Sequence, residues 1–176
     1  KRIVVASTDK AYGTQSKLPY TEDMELKGIF PYDVSKVCAE LIAKSYFESY
    51  NVPVSITRCG NIYGPGDLNF SRIVPGAIKA GLLDETLEIR SNGKFIRDYI
   101  FIEDVIDGNL KIAENIENVK GNAFNLSTDN RISVLDVVDK VSKSIGKQVK
   151  IKILNAAGNE IKNQFLSSEK ALSVLG

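Results

Sequence analysis

The chain has 176 residues, 43% of them hydrophobic and 26% charged, the composition of a globular protein with one substantial core. Its net charge of +1 includes no basic run, which argues against nucleic acid or a membrane surface as a partner. No apolar stretch approaches the ~18 residues of a membrane span, and the opening residues do not read as a signal peptide, so the expected setting is cytoplasmic.

Lys1 to Ser7 reads as a buried strand. It runs into the small polar segment Ser7-Thr8-Asp9-Lys10-Ala11-Tyr12-Gly13 at its carboxyl end, where open α/β sheets place ligands. A simple capped turn would carry the same pattern. Residues 14 to 31 look like a loop, broken by Pro19, Gly28 and Pro31. A helix opens at Tyr32 behind Pro31 and runs to about Tyr50, with Val37, Leu41, Ile42 and Tyr46 as its apolar stripe. Val52 to Thr57 is a second short buried strand, followed by a glycine-rich loop from Arg58 to Asp67. Strand, helix and strand make a crossover unit of a parallel sheet.

Ser71 is placed to cap a helix reaching Leu83, with Pro75 tolerated in its first turn. Thr86 to Arg90 reads as a strand and Ser91 to Lys94 as a turn. Arg97 to Ile102 is another strand, feeding a helix with Glu103 and Asp104 in its first turn. Asn122 to Leu126 is a short strand, and Ser133 with Asp136 opens a helix that Gly146 closes. Gln148 to Leu154 alternates as a strand, and Ser168 is placed to cap a last short helix. Cys38 and Cys59 have neither metal-ligand nor disulfide spacing, so both are expected to be buried free thiols, and no metal is expected.

The residues that invite chemistry are Tyr32 and Lys36. Four apart on a helix, they project from one face. The chain has no histidine, so the usual general base near neutral pH is missing. A free phenol titrates near ~10, and acting as a base near pH 7 asks for a shift of ~3 units, about 4 kcal/mol. A lysine ammonium at ~4 to 5 Å in a partly screened site supplies roughly 3 to 4 kcal/mol. The magnitudes match. The spacing alone is weak in a lysine-rich chain, however, and an ordinary exposed lysine over a half-buried tyrosine would look the same.

Four blocks in register add weight to that pair. They are Ser7 to Gly13, Tyr32-Asp33-Val34-Ser35-Lys36, Arg58-Cys59-Gly60-Asn61-Ile62-Tyr63-Gly64-Pro65-Gly66, and Arg97-Asp98-Tyr99-Ile100-Phe101-Ile102-Glu103-Asp104-Val105. Together they resemble the extended short-chain dehydrogenase/reductases that act on nucleotide sugars. Lys10, the run from Pro31 to Lys36 and the run from Gly66 to Gly76 are similar to the CDP-glucose 4,6-dehydratase branch of that family. The resemblance implies an α/β fold in two parts. Residues 1–66 would be the C-terminal half of a Rossmann-like, NAD-binding parallel sheet. Residues 67–176 would be mainly a smaller α/β substrate-binding domain, with 97–117 packing back on the first part.

The resemblance also implies NAD as cofactor and a nucleotide sugar, CDP-glucose first, as substrate. In such enzymes hydride leaves sugar C4 for NAD, water leaves across C5 and C6, and hydride returns to C6. Tyr32 would be the phenolate base, its proton loosened by Lys36 and by the cofactor's positive charge, and Lys36 would hold the nicotinamide ribose. Thr8 would position the C4 oxygen, and Asp9 would protonate the departing C6 hydroxyl. Lys10 would take the C5 proton, which needs burial or a neighbouring cation to free it of its own; a surface Lys10 paired with Asp9 is the alternative. Ser7, Tyr63 and Gly64 fall on the cofactor side, and Asn61 on the sugar or its phosphate. Arg72 and Arg97 suit the pyrophosphate, a task for a guanidinium fork, and either is open to a structural reading. Asp104 reads as a helix cap.

The Gly-rich turn that lays pyrophosphate on a helix amino terminus has no counterpart here. The chain is therefore expected to be a fragment, poor at binding NAD and inactive alone, and a homo-oligomer when full length. A 4-epimerase or reductase of the same fold shares Tyr32 and Lys36 without needing the acid and base at 9 and 10. A non-catalytic nucleotide-sugar-binding module is the alternative from another class.

Overall fold

A computed structural model describes residues 1–158 and 160–176. The elements run β1 (Ile3–Thr8), a 3-10 turn (Asp9–Tyr12), α1 (Pro31–Tyr50), β2 (Val54–Cys59) and β3 (Asn61–Tyr63). Then come α2 (Ile73–Leu83), β4 (Thr86–Ile89), β5 (Ile96–Phe101), α3 (Ile102–Glu114), α4 (Ile116–Val119) and β6 (Ala123–Leu126). The last are β7 (Arg131–Ser133), α5 (Val134–Ile145), β8 (Lys150–Ile153), β9 (Asn163–Gln164) and α6 (Glu169–Leu175). They form two compact units, one of residues 1–62, 98–130 and 164–176, the other of 63–97 and 131–163. Each place where the chain passes between them falls in or beside a short strand, β3, β5, β7 or β9.

The first unit is a Rossmann-like α/β layer structure around a parallel sheet in the order β1-β2-β6. Ile3 lies opposite Val54, Thr8 opposite Cys59, and Ile56 opposite Ala123. The central strand β2 is buried at every residue, as a parallel strand covered on both faces must be. α1 and α3 pack on this sheet. Beneath α3 lies an apolar core that includes Cys59, Ile100, Val105, Ile112, Phe124 and Leu126. A smaller cluster of Tyr12, Tyr20 and Leu166 anchors the long loop before α1.

Four expectations for this unit change. β1 is not a fully buried strand, with Ile3 exposed, and among the described residues it pairs with β2 alone. Leu41 and Ile42 of α1 are each 59% exposed and Tyr46 is exposed too. The face α1 turns inward instead carries Asp33 and Glu40. Cys38 follows that outward face and is exposed, whereas Cys59 is buried. Arg58 and Cys59 belong to β2, and Asn61 to Tyr63 form β3, so the glycine-rich stretch is only partly a loop.

The second unit packs α2 against α5 over an aliphatic core of Ala77, Ala80, Ile89, Val138 and Val149. β4 and β8 pair in parallel, Thr86 opposite Lys150 and Ile89 opposite Ile153. Ser133 and Asp136 form the expected capping box on α5, closed by Gly146 in the left-handed region. Ser71 does not cap α2. Arg72 occupies the N-cap, because the chain enters through two side-chain turns, Asn69 N to Asp67 Oδ1 at 3.0 Å and Ser71 N to Asn69 Oδ1 at 3.2 Å. Ser168 does stand at the N-cap of α6 in the first unit, but without a side-chain cap bond. Among the described residues no helix is long and apolar enough to cross a membrane.

Candidate active site

The carboxyl end of β1 carries the densest set of reactive side chains. Thr8, still extended, caps the 3-10 turn that follows it. Its Oγ1 accepts from Lys10 N at 3.3 Å and donates to Asp9 Oδ1 at 3.1 Å. A ligand oxygen that needs the Thr8 proton must therefore displace Asp9. Asp9 is only 4% exposed, whereas Lys10 is exposed, so neighbouring residues of one turn face opposite surroundings. Gly13 closes the segment at φ +63°, and a Cβ there would collide with Lys27 O. Its carbonyl accepts the Tyr20 hydroxyl at 2.8 Å, which pins the long loop under the turn.

α1 approaches this strand end from Pro31 onward, and it packs on both β1 and the 3-10 turn. Tyr32, in its first turn, is 53% exposed. Lys36, one turn later, is half-buried and donates from Nζ to Ala6 O at 3.0 Å. The ammonium that shares a face with the phenol is thus fastened to the backbone just before Ser7 and Thr8.

One turn further, a polar network that the sequence reading missed lies beneath the site. Glu40 is 3% exposed and meets Arg58 of β2 as a fork, with Nη2 at 2.6 Å and Nε at 3.0 and 3.1 Å from its two oxygens. The Ser7 hydroxyl donates to the same carboxylate. Arg58 Nη1 donates to the Tyr12 hydroxyl at 2.7 Å, which donates to Asn125 Oδ1 at 2.8 Å. Asn125 Nδ2 donates to Tyr20 O at 3.0 Å, and its backbone N–H to Glu22 at 2.8 Å. Desolvation alone would weaken the Arg58 charge, but Glu40 and Tyr12 outweigh it and its pKa stands above the ordinary arginine value. Burial is the largest influence on Tyr12 and pushes its phenol up to about 12. The Cys59 thiol is likewise pushed up to about 12, by burial first and then by Asp9 and Asp98. A signal for Glu40 was available: it continues the four-residue spacing of Tyr32 and Lys36.

Asn61 sits on the first unit, its Nδ2 donating to Asp98 O at 3.3 Å. The approach is so close that a Cβ on Gly60 would lie 2.9 Å from that carbonyl. The remaining predicted residues belong to the second unit. Tyr63 is half-buried, and Gly64 lines a groove of about 450 Å³ with Asp67, Phe70, Ile78 and Leu82. Arg72 is exposed and paired with Asp67 at 3.2 Å. Arg97 is more tightly held: Nη1 donates to Ile96 O at 2.9 Å and Lys162 O at 3.1 Å, and Nη2 faces Glu160 at 3.6 Å. Among the described residues no group of three or more His, Cys, Asp or Glu is placed to hold a metal.

The parallel sheet, with Ser-Thr-Asp-Lys at a strand end and Tyr-x-x-x-Lys on the adjoining helix, is an open α/β arrangement of the class that places ligands at the carboxyl ends of its strands. The sequence profile of the NAD dependent epimerase/dehydratase family matches residues 1–127, and the chain belongs to that family. It is 34% identical over 152 residues to the dTDP-D-glucose 4,6-dehydratase of Dictyostelium discoideum, over 80% of this chain and 34% of that protein. Among solved structures, the dTDP-glucose 4,6-dehydratase of Bacillus anthracis in complex with NAD is similar with a TM-score of 0.86. The identity is 25%, over 98% of this chain and 54% of that one. The UDP-glucuronic acid 4-epimerase of Bacillus cereus, in complex with UDP-glucuronic acid and NAD, gives a TM-score of 0.87 at 29% identity, over 99% and 55% of the two chains. The chain spans about half the length of these solved proteins and a third of the Dictyostelium one.

Proposed function

We propose that this chain carries catalytic and substrate-binding residues of an NAD-dependent nucleotide-sugar 4,6-dehydratase, with CDP-glucose as favoured substrate. The observation that carries the reading is the bond from Lys36 Nζ to Ala6 O at 3.0 Å. It holds the helix that bears Tyr32 onto the strand end that bears Thr8, Asp9 and Lys10. Residues 1–66 belong in this reading to the NAD-binding part and 67–176 mainly to the sugar-binding part, with 97–117 returning to the first.

The groups at the strand end fit the nicotinamide ribose end of NAD. The Lys36 ammonium offers donors for ribose hydroxyls, and the Tyr32 oxygen and Ser7, whose proton goes to Glu40, offer lone pairs. Tyr63 and Gly64 are assigned in this reading to the cofactor as well. NAD, when bound, supplies the hydride acceptor that makes oxidation at C4 and reduction at C6 balance. Tyr32 takes the C4 hydroxyl proton, with Thr8 orienting that oxygen. Asp9 gives a proton to the departing C6 hydroxyl and Lys10 takes the proton from C5, so that one water leaves per sugar. Asn61 holds the sugar or its phosphate, and Arg72 and Arg97 meet the pyrophosphate.

A nucleotide-sugar 4-epimerase is the second reading, supported by the Bacillus cereus epimerase likeness and by the opposite exposure of Asp9 and Lys10. Incubating the full-length polypeptide with CDP-, dTDP-, UDP- and GDP-hexoses separates the two. A dehydratase forms a 4-keto-6-deoxy sugar with loss of water, visible by mass spectrometry, whereas an epimerase inverts C4 at constant mass. Binding without turnover of any sugar would leave only a binding module. The full-length protein is proposed to be a homo-oligomer, which light scattering tests directly.

A further inference from the structure

We infer that Glu40 is the positioning residue of this site, fixing where α1 presents Tyr32 and Lys36 along β1; the inference rests on the proposed role of that pair. Tyr32, Lys36 and Glu40 stand at successive turns of one helix face, exposed at the ligand end and buried at the other. Leu41, Ile42 and Tyr46 of α1 point to solvent, and its inward apolar side chains, Val37 and Phe47, are half-buried, Phe47 against Gly121. The directional grip on this helix is polar. Glu40 receives the Arg58 fork from β2 and the Ser7 hydroxyl from β1. Lys36 adds its bond to Ala6 O. Apolar packing tolerates sliding, whereas a two-pronged ion pair defines both distance and orientation.

The same guanidinium reaches the other half of the site. Arg58 Nη1 holds the Tyr12 hydroxyl at 2.7 Å, and Tyr12 ends the 3-10 turn that starts with Asp9 and Lys10. Its planar group also lies over the Tyr12 ring, 4.8 Å from the centroid. One buried pair therefore sets the placement of the phenol and ammonium on α1 and of the acid and base on the turn. A displacement of about 1 Å in such a set costs on the order of a hundredfold in rate. The charge pair is not needed for stability as such, since apolar replacements of similar volume are often neutral or stabilising.

The test uses the full-length polypeptide and its best nucleotide sugar. Glu40→Gln is expected to lower kcat by about tenfold or more while KM stays within roughly threefold. The double variant Glu40→Leu/Arg58→Met is expected to regain the melting temperature lost in Glu40→Gln, yet to keep the depressed kcat. If kcat returns together with stability, the pair is structural only and the inference falls. Arg58→Lys keeps the charge but lacks the fork, and is expected to fold and to lose about tenfold in kcat; an unchanged kcat there also overturns the inference. Tyr32→Phe in the same assay keeps the two claims apart. Full activity of that variant sinks the site assignment itself, whereas an inactive Tyr32→Phe beside wild-type kcat in Glu40→Gln and Arg58→Lys sinks the positioning role alone.

Discussion

The two compact units bury different things. The first keeps charge inside, with Asp33, Glu40, Arg58 and Asp98 all buried. The second keeps an aliphatic interior of Ala77, Ala80, Ile89, Val138 and Val149 and sets two of its ion pairs well outside. Asp84–Lys150 at 2.9 Å and Glu88–Lys152 at 3.0 Å leave more than half of each side chain exposed. Burying a charge is costly unless it is paired and hydrogen-bonded, and in the first arrangement Glu40 and Arg58 offset that cost with their fork and with the Ser7 and Tyr12 hydroxyls. What it provides is direction: a fork or a hydroxyl bond fixes an angle, which methyl groups in contact do not. Polar burial therefore coincides with Lys36, Thr8 and Asp9, the residues that the proposed chemistry would need.

The sharpest way to break this contrast is to strand one charge. Arg58→Ala leaves Glu40 buried without its cation and the Tyr12 hydroxyl without its donor. We expect a loss of about 3 to 5 kcal/mol in urea unfolding. Hydrogen exchange should rise in 1–62 and 98–130 first. A loss below about 1 kcal/mol would mean that the network is idle.

Alkali should also separate the two units. The Tyr12 phenol, pushed up to about 12, and the Cys59 thiol, pushed up to about 12, both lie in the first unit. Below pH ~9 both groups are protonated in the folded and the unfolded chain, so neither affects stability. As pH rises past ~9 for the thiol and ~10 for the phenol, the unfolded chain releases protons that the folded chain retains, and stability falls until the folded groups ionise near 12. The Tyr12 share is on the order of 2 to 3 kcal/mol across that window. Urea midpoints at pH 8 and pH 11 measure it, and Cys59→Ala should flatten the early part of the fall. An alkaline loss seen equally in exchange from 63–97 would contradict the assignment to the first unit.

Much of this fold could be read from residue pattern. The strand-end cluster at 7–13, the start of α1 at proline and the Ser133–Asp136–Gly146 frame of α5 all rest on local chemistry: a capped turn, a fixed φ, a capping box and a left-handed glycine. The reading failed where local and tertiary demands diverge. Leu41, Ile42 and Tyr46 form an apolar stripe of helical period, yet the face that meets the sheet is the one with Asp33 and Glu40. A charged residue facing inward is invisible to a search for apolar periodicity, because its partner, Arg58, lies 18 positions away on another element. Of the candidate site, the residues on β1 and α1 were legible and their support was not. Arg97 suits the pyrophosphate by its guanidinium fork, but pattern does not reveal that the same group also meets two backbone carbonyls and Glu160 in its own unit.

The second unit offers the milder tests. Val138→Ala removes two methyl groups from its core and should cost about 2 kcal/mol, with no change in the alkaline slope, since no titrating group is touched. Its surface pairs should matter least. Lys150 holds the Asp84 carboxyl below its usual range, first through their hydrogen bond and then through charge. A depressed carboxyl has the sign of a stabilising pair, present at neutral pH and lost as pH falls through its folded value. Asp84 is fully exposed, however, so water and salt screen most of that attraction. Lys150→Met and Asp84→Asn should each leave the melting temperature unchanged within error at pH 7, and 1 M salt should not alter it further. A loss in either variant as large as that of Val138→Ala would show that the second unit too depends on its charges, and the contrast between the units would not stand.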